Sequence, residues 1–176
     1  MKLLKRAIAL SVLFLASVTS VASAAQAPNF SFKDIDGQQH QFSEYRGKWV
    51  IVNYWATYCG PCVAELPALN SIARRYKDEV VVLGMEAGET SAAELKQFAE
   101  QRRISYTVAP TQDSTMFALG LIYGVPTTFI INPEGKIVDT HMGVVTVSQL
   151  QNYIRSDKQS SVAKEKEEET CKTGVC

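Results

Sequence analysis

The sequence predicts an α/β protein with a mixed central β-sheet flanked by helices on both faces. Three observations carry that reading. Buried-strand runs alternate with helical periods through the middle of the chain, a hairpin opens it, and a second hairpin followed by a helix closes it. Setting aside the first 24 residues, about 150 remain, one domain's worth and enough to bury a proper core.

The opening residues stand apart from that domain. Lys2, Lys5 and Arg6 form a basic start, Ala7 to Ser20 is apolar with small residues, and Ala22-Ser23-Ala24 offers a small-x-small cleavage site before Ala25. The apolar part is short for a bilayer span, and no cysteine lies close enough to carry a lipid. The expectation is a signal peptide over 1–24, a folded domain over 25–155 and no stable membrane span after cleavage. An uncleaved anchor is the alternative.

Phe30-Ser31-Phe32 and Gln39-His40-Gln41-Phe42 flank Asp36-Gly37, a strong turn signal, and predict the N-terminal β-hairpin. Trp49-Val50-Ile51-Val52-Asn53-Tyr54 is apolar, β-branched and aromatic, the composition of a buried strand. Val63, Leu66, Leu69, Ile72, Ala73 and Tyr76 then recur at threes and fours, a helix that Pro67 should kink. Val80-Val81-Val82-Leu83 reads as a second buried strand, and Ser91-Ala92-Ala93-Glu94 as a capping box opening a helix to about Arg103. A short strand near Tyr106–Val108 and a helix near Ser114–Leu119 follow. Strands over 127–131 and 136–140 are joined by Asn132-Pro133-Glu134-Gly135, a turn by composition, and Val147 to Arg155 forms the last helix. From Ser156 the composition changes. Lys164-Glu165-Lys166-Glu167-Glu168-Glu169 has no apolar period, so 156–176 reads as a charged tail, disordered or weakly helical.

Three of the 18 basic residues lie in the first 24, leaving 15 against 18 acids and a net charge near −3. Nothing in that balance suggests nucleic acid or an anionic membrane surface as a partner. The four cysteines fall in two pairs. Cys171 and Cys176 lie in the tail; Cys59 and Cys62 form a C-x-x-C where a strand ends and a helix begins, with Pro61 in the first turn. Helix N-terminal amides and the helix dipole favour a negative charge at Cys59, while Cys62, one turn in, is the more shielded thiol. That suits a reversible dithiol/disulfide pair. A static disulfide or half a zinc site are the alternatives; no second C-x-x-C or paired His at finger-like spacing supports zinc.

Trp55-Ala56-Thr57-Tyr58-Cys59-Gly60-Pro61-Cys62, Pro67 and Gly124-Val125-Pro126-Thr127-Thr128-Phe129, in that order, resemble the thioredoxin-like fold. The similarity covers roughly 28–155 and is closest to the exported TlpA/ResA-type thiol–disulfide oxidoreductases, which include cytochrome c maturation thioredoxins. The resemblance implies a cis bond at Val125-Pro126 facing the cysteines, where exposed backbone groups could pair with an extended partner segment; an ordinary trans proline starting an edge strand is the alternative. It also implies a Glu at position 65, three residues after Cys62 on the same helix face and close to the thiols. Thioredoxin itself has a buried Asp six residues before the first Cys. Here that position is Asn53, which makes Glu65 the natural proton acceptor; a solvated helix face is the bland alternative.

Cys59 is expected to attack a partner's disulfide and Cys62 to resolve the mixed disulfide. Tyr58 and Trp55 flank the motif, to contact the partner or to pack the core. His40 and His141 read as exposed strand residues without ligand-like spacing, and no metal or cofactor is expected. Cys171 and Cys176 allow a closed tail disulfide, a second redox pair exchanging with Cys59, or a weak metal clip; some 15 flexible residues would reach roughly 20 Å. The resemblance implies an exported, bacterial periplasmic reductase of protein disulfides, supplied by a membrane thiol reductant. A dedicated reductant of apocytochrome c haem-site cysteines is the runner-up within the class, and a metal chaperone using both cysteine pairs is the non-enzymatic alternative. A thiol peroxidase fits less well. Its P-x-x-x-T-x-x-C pattern is missing, since Thr57 lies two residues before Cys59 rather than three.

Overall fold

A computed structural model describes residues 24–156. Its elements are β1 (Ser31–Lys33), β2 (Gln39–Gln41), a 3-10 turn (Phe42–Tyr45), β3 (Trp49–Trp55), α1 (Gly60–Arg75), β4 (Val80–Glu86), α2 (Ala92–Gln101), β5 (Thr107–Pro110), a single turn α3 (Asp113–Met116), β6 (Thr127–Ile131) and β7 (Ile137–Met142). A last helix, α4, occupies 147–156. The segment before residue 24 and the tail with Cys171 and Cys176 lie outside the described residues. Among the described residues, no helix is long and apolar enough to cross a membrane.

The main sheet has the order β5-β4-β3-β6-β7, and β1 and β2 form the separate antiparallel hairpin expected at the N-terminus. β3 runs parallel to β4 and β4 to β5, whereas β6 is antiparallel to both β3 and β7, so the sheet is mixed. All seven residues of β3 are buried, as a central strand requires. Their alternation splits the core. Val50, Val52 and Tyr54 join Phe30, Phe32, Phe42, Met85 and Phe129 on one face. Trp49 and Ile51 meet Leu69 and Ile72 of α1 and Leu150 and Ile154 of α4 on the other. Each of these aliphatic side chains contributes about 1.5–3 kcal/mol by leaving water, which clamps α1 and α4 against the N-terminal half of β3.

Two elements differ from the sequence reading. β4 continues three residues beyond Leu83, through Gly84-Met85-Glu86, with Glu86 only 1 % exposed. Gly84 admits the Trp55 and Tyr106 side chains, which stand 3.1 Å and 2.9 Å from where a β-carbon would lie. The helix expected over 114–119 closes after one turn, and Gly120 then takes a φ of 146° that a larger residue resists. Pro67, by contrast, sits inside α1 without ending it. β5 begins one residue after Tyr106 and ends on Pro110, which is tolerated because β5 is an edge strand.

Candidate active site

β3 ends at Trp55, and the chain turns through Ala56-Thr57-Tyr58 before entering α1. Cys59 is the N-cap of that helix: its backbone is extended, and the Cys62 N–H donates to its Sγ at 3.2 Å. Cys59 and Cys62 are joined as a disulfide with Cα atoms 5.2 Å apart. Cys59 is half-buried and Cys62 fully buried, the asymmetry expected from their order. Helix geometry therefore delivers one accessible sulfur, held at the positive end of α1, with its partner sealed beneath.

Val125-Pro126 is cis, and the Val125 carbonyl oxygen lies 3.8 Å from Cys59 Sγ. The loop is fixed from both sides. The Thr127 hydroxyl donates to the Gly124 carbonyl at 2.6 Å, and the Gly143 N–H donates to the Pro126 carbonyl at 2.9 Å. Exposed apolar side chains flank this bond: Tyr123 before it, and Met142 and Val144 on either side of Gly143.

One helical turn beyond Cys62, α1 contributes to a buried polar cluster. Glu65 is 1 % exposed, so the solvated-face alternative does not hold. Its Oε1 accepts from Asn53 Nδ2 at 2.8 Å and its Oε2 from the Val145 N–H at 2.8 Å. Asn53 Nδ2 also donates to Thr128 Oγ1 at 3.0 Å. Burial pushes the Glu65 carboxyl above its ordinary value, and the two hydrogen bonds and the charge of His141 offset only part of that shift. Asn53 occupies the position where an acid was looked for and instead holds the acid supplied by α1.

Two sequence expectations need correction. Trp55 is fully buried, packs on Phe98 with ring centroids 5.5 Å apart, and offers no surface to a substrate in this structure. Its place on β3, on the face that α1 and α2 cover, leaves Tyr58, 77 % exposed, as the exposed aromatic of the motif. Neither histidine is an exposed strand residue. His40 lies between the Asp34 carboxylate at 2.9 Å and the Tyr45 hydroxyl at 3.0 Å, and His141 is half-buried. Among the described residues, no group of three His, Cys, Asp or Glu is placed to hold a metal ion.

The comparisons with known proteins agree with this geometry. The family model described as "AhpC/TSA family" matches residues 24–140. The chain belongs to that family. It is 33 % identical over 147 residues to the thiol-disulfide oxidoreductase ResA of Geobacillus thermodenitrificans, covering 82 % of this chain and 83 % of the relative. The corresponding Bacillus cereus protein is 31 % identical over 143 residues, 81 % of this chain and 82 % of the relative. A crystal structure from Chlorobium tepidum, titled a putative thiol:disulfide interchange protein DsbE, superposes with a TM-score of 0.68. It is 26 % identical and covers 78 % of this chain and 98 % of that one. The fold is thioredoxin-like and the protein is a thiol–disulfide oxidoreductase.

Sequence reasoning passed over the Thr57–Thr90–Glu86 network beside the motif. The Thr57 and Thr90 hydroxyls meet at 3.1 Å, and Thr90 Oγ1 lies 2.9 Å from Glu86 Oε1. Its one sequence signal is an acid closing an apolar run, Val80 to Met85, where a strand should end on something neutral or turn-forming.

Proposed function

We propose that the protein is an exported reductase of protein disulfides in which Cys59 attacks and Cys62 resolves. The observation that carries the reading is the pairing of a half-exposed N-cap sulfur, bonded by its own helix's amide, with a sealed second sulfur and a buried carboxylate. In the reduced protein the Cys59 thiolate attacks one sulfur of a substrate disulfide, forming a mixed disulfide and releasing the other substrate sulfur as a thiolate. Cys62 gives its proton to Glu65, one helical turn on, and its thiolate attacks Cys59 Sγ. The Cys59–Cys62 disulfide forms, the substrate leaves fully reduced with two electrons gained, and its thiolates take up protons.

The backbone around cis Val125-Pro126 holds an extended substrate segment against Cys59, with Tyr58 at the mouth. Gly60-Pro61 supports the reducing direction through its resemblance to thioredoxin, and the signal-like first 24 residues support export to a bacterial periplasm. There a membrane thiol reductant restores the dithiol, and apocytochrome c haem-site cysteines are one substrate of suitable chemistry. The test is capture: Cys62→Ser expressed with its own signal should accumulate mixed disulfides on Cys59, identified by mass spectrometry after release with a reductant. Capture by Cys59→Ser through Cys62, with none by Cys62→Ser, would reverse the assignment.

A further inference from the structure

Glu86 is a fully buried carboxylate that the thiol chemistry does not use. It closes β4 beside Trp55 of β3 and turns back on its own loop, accepting from the Gly88 N–H at 3.0 Å, the Thr90 N–H at 3.3 Å and the Thr90 hydroxyl at 2.9 Å. A hydroxyl carries one proton. Since Thr90 gives its proton to Glu86, the 3.1 Å contact between Thr57 and Thr90 is a donation by Thr57. Donation therefore runs in one direction, from Thr57, two residues before Cys59, through Thr90 to the carboxylate. Between the two residues that Glu86 grips, Glu89 is held at φ 61°, a conformation a non-glycine residue keeps only when its surroundings impose it.

Gly88 completes the arrangement. A β-carbon there would lie 2.5 Å from Glu86 Oε1, 2.8 Å from Tyr58 Cε1 and 3.0 Å from Ala56 Cβ. Carboxylate, tyrosine ring and the turn before Cys59 thus close on one glycine. Tyr58 rests there along one edge and leaves the rest of its ring in solvent.

We propose that Glu86 is a positioning residue for the thiol site: through Gly88, Thr90 and Thr57 it fixes the turn before Cys59 so that Tyr58 forms one wall of the surface on which a protein disulfide docks. This rests on the reductase reading above. A small aromatic disulfide reaches Cys59 without that wall, whereas a folded or extended polypeptide uses it.

The experiment compares reduction of insulin with reduction of 5,5′-dithiobis(2-nitrobenzoate) by the reduced full-length protein, in wild type, Glu86→Gln, Thr90→Val and Thr90→Ser. For insulin, KM should rise roughly tenfold in Glu86→Gln and Thr90→Val, the scale of one lost buried hydrogen bond. Thr90→Ser, which keeps the hydroxyl, should behave as wild type. The small disulfide should react equally fast with all four, with an unmoved pH profile at Cys59. Thr90→Val keeps the carboxylate and its backbone bonds, so the test stands even if Glu86→Gln fails to fold. Variants that melt earlier but keep the wild-type insulin KM overturn the proposal, as does an equal slowing with both disulfides. A wild type that consumes the small disulfide but leaves insulin intact overturns the reductase reading, and this proposal with it.

Discussion

Glu65 is a carboxylate taken out of water with two donors among the described residues, so its proton is harder to remove than in the unfolded chain. A carboxyl pKa raised above its ordinary 4.5 means that the folded protein holds a proton the unfolded chain releases. The stability this supplies is present below about pH 4.5 and is lost as pH rises through the folded value. Urea unfolding should therefore show wild type losing ground to Glu65→Gln as pH rises from about 4.5; parallel curves would contradict the buried acid. The same substitution should lower the thiol pKa values by removing a nearby negative charge, and slow exchange by removing the proton acceptor. Unchanged alkylation profiles would contradict that. Tyr106 presents the opposite case, since its buried hydroxyl has no hydrogen-bond partner among the described residues and its pKa is pushed up by burial and by the charge of Glu65. Tyr106→Phe should stabilise the protein by about 1 kcal/mol, because an unsatisfied buried polar group is deleted at almost constant shape. A lower denaturation midpoint would show that the hydroxyl has a partner.

α2 begins with a reciprocal cap: the Ser91 hydroxyl accepts from the Glu94 N–H, and the Glu94 carboxylate accepts from Ser91. Ser91→Ala should cost about 1 kcal/mol in thermal or urea unfolding, while the Cys59 alkylation rate stays as it was. A changed rate would mean that α2 is coupled to the thiols. This cap was legible in the sequence because all its partners lie within three residues. So were the N-terminal hairpin, read from Asp36-Gly37, the closing hairpin, and β3, whose β-branched run matches its burial. The end of β4 was not legible. Gly84 and Glu86 are both poor strand formers, and each is there for a neighbour: Gly84 for Trp55 and Tyr106, Glu86 for the loop donors. Glu65 could be placed on the face of Cys62 from helical spacing. Its fixing partner, the Val145 N–H 80 residues away, could not, because only the topology brings them together. Trp55 stayed open between partner contact and core for a related reason, since position next to the motif says nothing about which face of β3 a side chain takes.

At the scale of the whole molecule, two opposing fields act on one pair of sulfurs. The α1 N-terminus, with the Cys62 N–H on Cys59 Sγ, stabilises a thiolate and so favours the reduced state. The buried Glu65 below opposes a second negative charge and favours the disulfide. A strong oxidant needs the first field to prevail, because its reduced form must be the stabilised one. The mixed sheet brings β3, α1, β6 and the segment after β7 together around the carboxylate, and the reducing direction proposed above requires that the second field prevail. The deciding measurement is the reduction potential of Cys59–Cys62, equilibrated in defined thiol–disulfide buffers at pH 7 and read by alkylation and mass spectrometry. A value near thioredoxin's, about −270 mV, is the predicted result, and one near about −120 mV, that of the periplasmic oxidant DsbA, would contradict it.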